Sequence, residues 1–131
     1  MLAAAGIEAR PPACALIAYI GDDPTGAAGV ETAVDVGLIT ILFVAPSMRG
    51  RGIGAQLMRA ARVAAHTRGA RTLFKIGPPD AAGYLARFGF EPIDIAAAAQ
   101  ALEDIAEAEL LREDRIRAWR LDISKDGIIE R

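Results

Sequence analysis

Apolar residues recur along the chain with two periods, and these periods predict alternating strands and helices. Short apolar runs bounded by glycine, proline or aspartate predict six strands, at Cys14–Ile20, Ala27–Val34, Gly37–Val44, Thr72–Ile76, Phe90–Ile93 and Ile116–Ile123. Apolar positions spaced three or four residues apart predict three helices, at Ile53–Arg68, Ala81–Phe88 and Ile95 to about Ala108.

The amino end has a different composition. Met1 to Glu8 is rich in alanine and is predicted to be the end of a helix, which Pro11 and Pro12 would stop. The predicted order is therefore a hairpin followed by crossovers, which indicates an α/β fold with a mixed sheet. Since neither a repeat nor a linker interrupts it, residues 1–131 are interpreted as one domain with its core at 15–123.

Composition narrows the class of protein. Of the 131 residues, 53% are hydrophobic, so a single domain can bury a core without the support of disulfides or metal ions. The net charge of −2 argues against a nucleic-acid partner. The longest apolar run is Ala13–Ile20, too short to span a bilayer. With one cysteine, Cys14, and no leader pattern, a cytoplasmic location is expected.

The segment from Leu42 to Ala55 carries the chemistry. A buried strand ends at Pro46, a glycine-rich loop with Arg49 and Arg51 follows, and an amphipathic helix begins. Glycines allow the backbone N–H groups to approach a ligand, and a helix start offers free N–H groups and a positive dipole end. Guanidinium groups add forked donors. The segment predicts a cradle for a phosphate or diphosphate.

Alternatives remain for this loop. It is not a Walker A loop, because no Gly-Lys-Ser/Thr follows. It is not the dinucleotide fingerprint, because the glycines fall at 50, 52 and 54. From spacing alone, a plain strand-turn-helix corner in which the glycines only ease packing stays open.

The loop resembles the acetyl-CoA motif of the GNAT N-acetyltransferase superfamily, through Arg49-x-x-Gly52-x-Gly54 after Val44-Ala45-Pro46. The later segment Ala81 to Phe90, which ends in Gly-Phe, is similar to that superfamily's following helix. The resemblance covers about Ala15 to Ile123 and implies a mixed, mostly antiparallel central sheet flanked by helices, with a shortened amino-terminal part.

The resemblance also implies a co-substrate and its contacts. Acetyl-CoA would lay its pantetheine arm along the strand backbone and its diphosphate against the loop. The implied binding residues are Leu42, Phe43, Val44, Arg49, Gly50, Arg51, Gly52, Ile53, Gly54 and Ala55. The acetyl group would pass directly to the amine of a small molecule or amino acid in a ternary complex, with no metal involved.

Catalytic candidates follow less directly. Many family members have a tyrosine acid four residues before the glycine of Gly-Phe, but that position is Leu85 here. Tyr84 is one residue away, and either catalysis or packing would explain it. Glu31 is the first candidate base and Asp35 the second, with solvated hairpin charges as the alternative. His66 and Cys14 are interpreted as structural.

The short amino end affects the functional prediction. Fewer than fifteen residues precede the first predicted strand, whereas the family has a strand and one or two helices there. We therefore expect an exposed apolar surface near this end, and hence a homodimer. Two alternatives to the enzyme remain, a non-catalytic CoA-binding module and a binder of nucleotide phosphates.

Overall fold

The computed structural model describes residues 5–10, 14–20, 23–105 and 116–125. The strands are β1 (Ala5–Arg10), β2 (Cys14–Ile20), β3 (Asp23–Ala33), β4 (Val36–Val44), β5 (Thr72–Gly77), β6 (Glu91–Ile93) and β7 (Arg117–Asp122). The helices are α1 (Ile53–Thr67), α2 (Ala82–Ala86) and α3 (Ile95–Ala101), with short 3-10 turns at Pro46–Met48 and Pro79–Ala81.

The strands form one sheet in the order β1-β2-β3-β4-β5-β7-β6. Every neighbouring pair is antiparallel except β4 with β5. The predicted mixed, mostly antiparallel sheet flanked by helices is therefore confirmed. The single parallel pair arises where helix α1 carries the chain across the sheet between β4 and β5.

The amino end corrects the sequence prediction. Ala5–Arg10 is a strand that pairs with β2 from Ala5 opposite Ile20 to Arg10 opposite Ala15, so no helix covers residues 5–8. The open edge of β2 supplies backbone partners, and this tertiary pairing overrides the helix propensity of alanine. Met1 to Ala4 of the predicted helix lie outside the described residues.

Two other boundaries differ from the prediction by four residues or more. Strand β3 begins at Asp23, because Asp23 and Pro24 pair with the end of β2 where a turn was predicted. Helix α3 ends at Ala101, and the turn after it buries Leu102 and Ile105. Residues 106–108 of the predicted helix lie outside the described residues.

Each face of the sheet buries an apolar cluster. On one face α1 packs on β3 and β4, through residues that include Val30, Ile39 and Leu57, and the same cluster extends to Leu73 of β5 and Trp119 of β7. On the other face α3 packs against Leu38, Phe74, Ile76 and Ala118. These clusters fix β4 and β5 at their paired ends. Among the described residues no helix has the length and apolar character needed to cross a bilayer.

The β3–β4 hairpin turns through Val34 and Asp35, and Val34 has a φ of 54° with 84% of its surface exposed. A β-branched residue is strained in the left-handed region, and no packing compensates here. A hairpin turn with positive φ at its first central residue favours glycine.

Val34→Gly should therefore raise the free energy of unfolding by about 1 kcal/mol, because the relief of strain exceeds the entropic cost of glycine. Urea denaturation would measure the change. The matched control is Val63→Gly on the exposed face of α1, where glycine should lower stability by roughly 0.4 kcal/mol. A lower stability for both variants would contradict the assignment of strain to Val34.

Candidate functional site

Strands β4 and β5 separate partway along their length. Their pairing runs from Val36 opposite Thr72 to Ile39 opposite Lys75 and then stops, although β4 continues to Val44 and β5 to Gly77. A bulge in β4 coincides with the separation, since Val30 opposes Ile39 whereas Gly29 opposes Ile41. Thr40 is thus an extra residue that bends β4 away from β5. A V-shaped opening results.

The β4 backbone presents hydrogen-bonding groups to this opening. Ala45 N–H donates to Thr25 C=O over 2.8 Å, in register with the β3–β4 ladder. Antiparallel ladders alternate, so Ile41 and Phe43 also direct their backbone groups to β3. Leu42 and Val44 direct theirs to the opposite side, beyond the last pair with β5. An extended ligand can therefore add to β4 as a strand does.

A cavity of about 680 Å³ occupies the outer part of the opening. It has the size of a small-molecule site. The residues that line it come from the end of β4, the following loop, the first turn of α1 and the region of α2; they are Leu42, Phe43, Val44, Met48, Arg49, Gly50, Gly52, Ile53, Gly54, Ala55, Tyr84, Arg87 and Phe88.

The backbone conformation of the loop before α1 depends on two of its glycines. Gly50 and Gly52 have φ values of 83° and 79°, which residues with a Cβ rarely adopt. Gly52 is the N-cap of α1 and has no side chain to bond the first N–H groups, and no acidic residue lies in the first turn. The positive end of a 15-residue helix therefore faces the cavity and favours an anion there.

Arg49 lies across the cavity. Its Nε donates to Val44 C=O over 3.2 Å, which links the loop to the strand end that faces the opening. The side chain is exposed, so this hydrogen bond can exchange for one to a ligand phosphate without burying an unpaired group. The guanidinium therefore supplies positive charge beside the helix start.

Tyr84 connects α2 to the loop. A Cβ on Gly54 would lie 2.6 Å from the Tyr84 hydroxyl, so the absence of a side chain at Gly54 lets the hydroxyl approach α1. The ring meets Phe88 edge-on at 5.1 Å, and the Arg87 guanidinium lies 5.4 Å from its centroid. Burial raises the pKa of Tyr84, and Arg87 opposes the rise. The hydroxyl consequently stays protonated and can donate a hydrogen bond.

The cavity brings together nine of the ten predicted binding residues, all except Arg51, which is exposed and does not line it. Of the predicted catalytic residues, Tyr84 lines the cavity and Glu31 does not. Glu31 is half-buried on β3 opposite Leu38, two residues from Gly29, which opposes Ile41 at the opening. Leu85 is buried in the cluster beneath α1.

Sequence reasoning missed three lining residues, Met48, Arg87 and Phe88. A signal for two of them existed, because Arg87 and Phe88 follow Tyr84 by three and four positions in a predicted helix and so share its face. Arg87 lines the cavity as well as Arg49, so two arginines contribute positive charge to it. The assembled site combines open strand backbone, a helix start and two cations, which suits an extended ligand with a diphosphate.

A family model described as "Acetyltransferase (GNAT) domain" matches residues 11–92. A comparison with curated protein sequences found no significant match. Similar solved structures include N-acetylglutamate synthase from Neisseria gonorrhoeae, complexed with coenzyme A and N-acetyl-glutamate, with a TM-score of 0.72 and 20% identity over 83% of this chain. This chain spans 25% of the length of that protein.

Two other similar structures are closer to this chain in length. A putative acyl-CoA N-acyltransferase from Klebsiella pneumoniae has a TM-score of 0.67 and 16% identity over 87% of this chain and 76% of its own. An acetyltransferase from Elizabethkingia anophelis with acetyl-CoA bound has a TM-score of 0.63 and 14% identity over 84% of this chain and 76% of its own. At these identities the structures show a shared fold.

The contact between Gly54 and Tyr84 predicts a coupling between the two positions. Gly54→Ala adds a good helix former but must displace the hydroxyl, so in the wild-type background the two effects oppose each other. In a Tyr84→Phe background the same change should stabilise the fold by about 1 kcal/mol more than in wild type. Thermal unfolding of the four proteins measures this, and additive effects would contradict the contact.

Proposed function

Because the chain belongs to the GNAT acetyltransferase family, we propose that it is an acetyl-CoA-dependent N-acetyltransferase that acts on a small amine or an amino acid. The observation that carries the proposal is the opening between β4 and β5, where the backbone of Leu42 and Val44 faces a cavity that ends at the start of α1.

Each part of acetyl-CoA has a matching feature. The pantetheine amides pair with the backbone of Leu42 and Val44, and Phe43 contacts the arm from the cavity wall. The diphosphate lies against the N–H groups from Gly50 to Ala55, where Arg49 exchanges Val44 C=O for a phosphate oxygen. Arg87 adds positive charge at the diphosphate end of the cavity. Arg51 adds positive charge from outside the cavity.

Transfer is direct. The neutral amine of the acceptor attacks the thioester carbonyl carbon and a C–N bond forms. The attacking nitrogen then loses a proton to water, and the C–S bond breaks to release the thiolate. A backbone N–H of β4 that faces the opening stabilises the charge on the carbonyl oxygen. Alignment of the two reactants in one cleft provides most of the rate.

Two side chains are proposed to assist. A free amine of lysine type has a pKa of about 10.4, so a base must remove its proton before attack. Glu31 takes this role from β3, on the strand next to the end of the β4–β5 pairing. Tyr84 donates a hydrogen bond from α2, a role that its raised pKa supports.

The acceptor class and assembly complete the proposal. N-acetylglutamate synthase from Neisseria gonorrhoeae has been seen with N-acetyl-glutamate and with L-arginine, which supports an acceptor of amino-acid type. Ile41 on β4 is 55% exposed, and this apolar side chain supports a homodimer. A cytoplasmic location fits acetyl-CoA as co-substrate.

A second candidate function is a non-catalytic CoA-binding module. The observation that favours it is Leu85, which is 1% exposed and occupies the position of the family's tyrosine acid. Such a module would bind acetyl-CoA and turn over no amine.

Calorimetric titration should show acetyl-CoA binding, and ATP should compete weakly because it lacks the pantetheine arm. Gly54→Val should abolish binding, because its side chain enters the cavity and displaces Tyr84, while the melting temperature stays within a few degrees of wild type. The control is Gly83→Val, since a Cβ at Gly83 meets nothing within 4 Å. Unchanged affinity in Gly54→Val would place the co-substrate elsewhere.

A thiol-release screen with a panel of amines and amino acids should identify an acceptor. With it, Glu31→Gln should lower kcat at neutral pH about 10²-fold, and a rise in pH that deprotonates the acceptor should restore part of the rate. Equal activity of Glu31→Gln and wild type at all pH values would remove Glu31 from the mechanism.

Tyr84→Phe should lower kcat/KM for acetyl-CoA by about tenfold, because the variant loses one hydrogen bond to a charged group.

A further inference from the structure

Lys75 is a partly buried amine at the closed end of the opening. It belongs to the last β4–β5 pair, opposite Ile39, and on its other side it opposes Trp119 of β7. Both neighbours belong to the apolar cluster beneath α1, and residues directly opposite on neighbouring strands share a face of the sheet. The side chain of Lys75 therefore lies on the α1 face at the point where the two strands separate.

The amine is directed to the opening by one hydrogen bond. Lys75 Nζ donates to Ile76 C=O over 3.0 Å. Ile123 N–H donates to Arg71 C=O in register with the β5–β7 ladder, so Leu73, Lys75 and Gly77 also direct their backbone groups to β7. Ile76 consequently directs its C=O to the β4 side, beyond the last β4–β5 pair. The amine that reaches this oxygen lies at the edge of the opening.

A lysine at position 75 is unusual for this chain, because nearly all of its basic residues are arginines. Of its 15 basic residues 13 are arginines, and the two lysines are Lys75 and Lys125. Arginine cannot give up its proton in a protein, whereas a buried lysine can. Burial lowers the pKa of Lys75. A structural cation in this place would not require a group that exchanges its proton.

We propose that Lys75 is the proton donor to the thiolate that leaves when the thioester is cleaved. This inference rests on the proposed acetyltransferase function. Lys75 does not line the cavity and lies inward of it, opposite Ile39. With the diphosphate at the loop after Val44, a pantetheine arm that runs back along Leu42 carries its thioester end inward, towards the Lys75 ammonium. The tyrosine position of the family, Leu85, belongs to the same cluster as Trp119 and has no proton to give.

Lys75 transfers its proton as the thiolate leaves. The C–S bond of the tetrahedral intermediate breaks and its electron pair goes to sulfur, while one N–H bond of the Lys75 ammonium breaks and an S–H bond forms. Lys75 is left as a neutral amine that still donates to Ile76 C=O. It regains a proton from water after free CoA has left.

The first test is chemical labelling, which needs no acceptor. Trace acetic anhydride labels neutral amines, and mass spectrometry separates the two lysines. A saturating thioether analogue of acetyl-CoA should reduce labelling of Lys75 at least about tenfold, since the ligand covers the amine, and leave the exposed Lys125 unchanged. Equal labelling of Lys75 with and without the analogue, when calorimetry shows that the analogue is bound, would overturn the proposal.

The second test uses three variants. Lys75→Gln and Lys75→Arg should both lower kcat about 10²-fold with KM for acetyl-CoA nearly unchanged, and Lys125→Gln should match wild type. The wild-type kcat should fall at alkaline pH as Lys75 deprotonates, and this limb should be absent from both Lys75 variants. Arg49, Tyr84 and Arg87, the charged or titratable residues that line the cavity, are unchanged in them.

Lys75→Met separates a chemical role from a structural one. It removes a buried ammonium, so its melting temperature at neutral pH should equal or exceed that of wild type while activity falls. A lower melting temperature for Lys75→Met together with full activity of Lys75→Arg would show that the amine only supports Ile76. If wild type binds acetyl-CoA and turns over an amine but Lys75→Gln keeps its rate, this inference fails alone. Absence of acetyl-CoA binding by wild type would overturn the proposed function and this inference together.

Discussion

The site depends on one constraint, that the single parallel strand pair of the sheet stops after four residues. A fully paired β4–β5 ladder would use every backbone group of both strands internally. Because the ladder ends at Ile39 and Lys75, Leu42 and Val44 on β4 and Ile76 on β5 keep groups that face the opening. The apolar clusters on the two faces hold the paired ends firmly, so the divergence is a fixed shape of the fold.

The bulge at Thr40 makes this divergence compatible with a continuous core. An extra residue shifts the alternation of β4, so that Ile39, Leu42 and Val44 all pack towards α1, whereas Ile41 and Phe43 are exposed. The helix that covers this face also begins at the glycine loop. Packing, open backbone and anion binding are therefore joined by one short connection, from Val44 to Ile53.

The sequence predicted most of the strands and helices because their apolar runs are long and end at glycine or proline. It also predicted the loop, since positive φ at Gly50 and Gly52 is a local property that the residue type reveals. It was wrong at Ala5–Arg10, where pairing with β2 outweighs the preference of alanine for a helix. The strand register that places Lys75 at the closed end of the opening, and the contact of Tyr84 with Gly54, arise from tertiary packing and leave no periodic signal.

The strand order has a consequence for how the chain acquires its structure. Strands β1 to β4 each pair with their neighbour in sequence order within the first 44 residues, so these pairings need only hairpin connections. Such a meander can form on a ribosome before α1 has emerged. We expect the later strands to join this meander through the four β4–β5 residue pairs, and we expect local opening of the native sheet to begin at this short ladder.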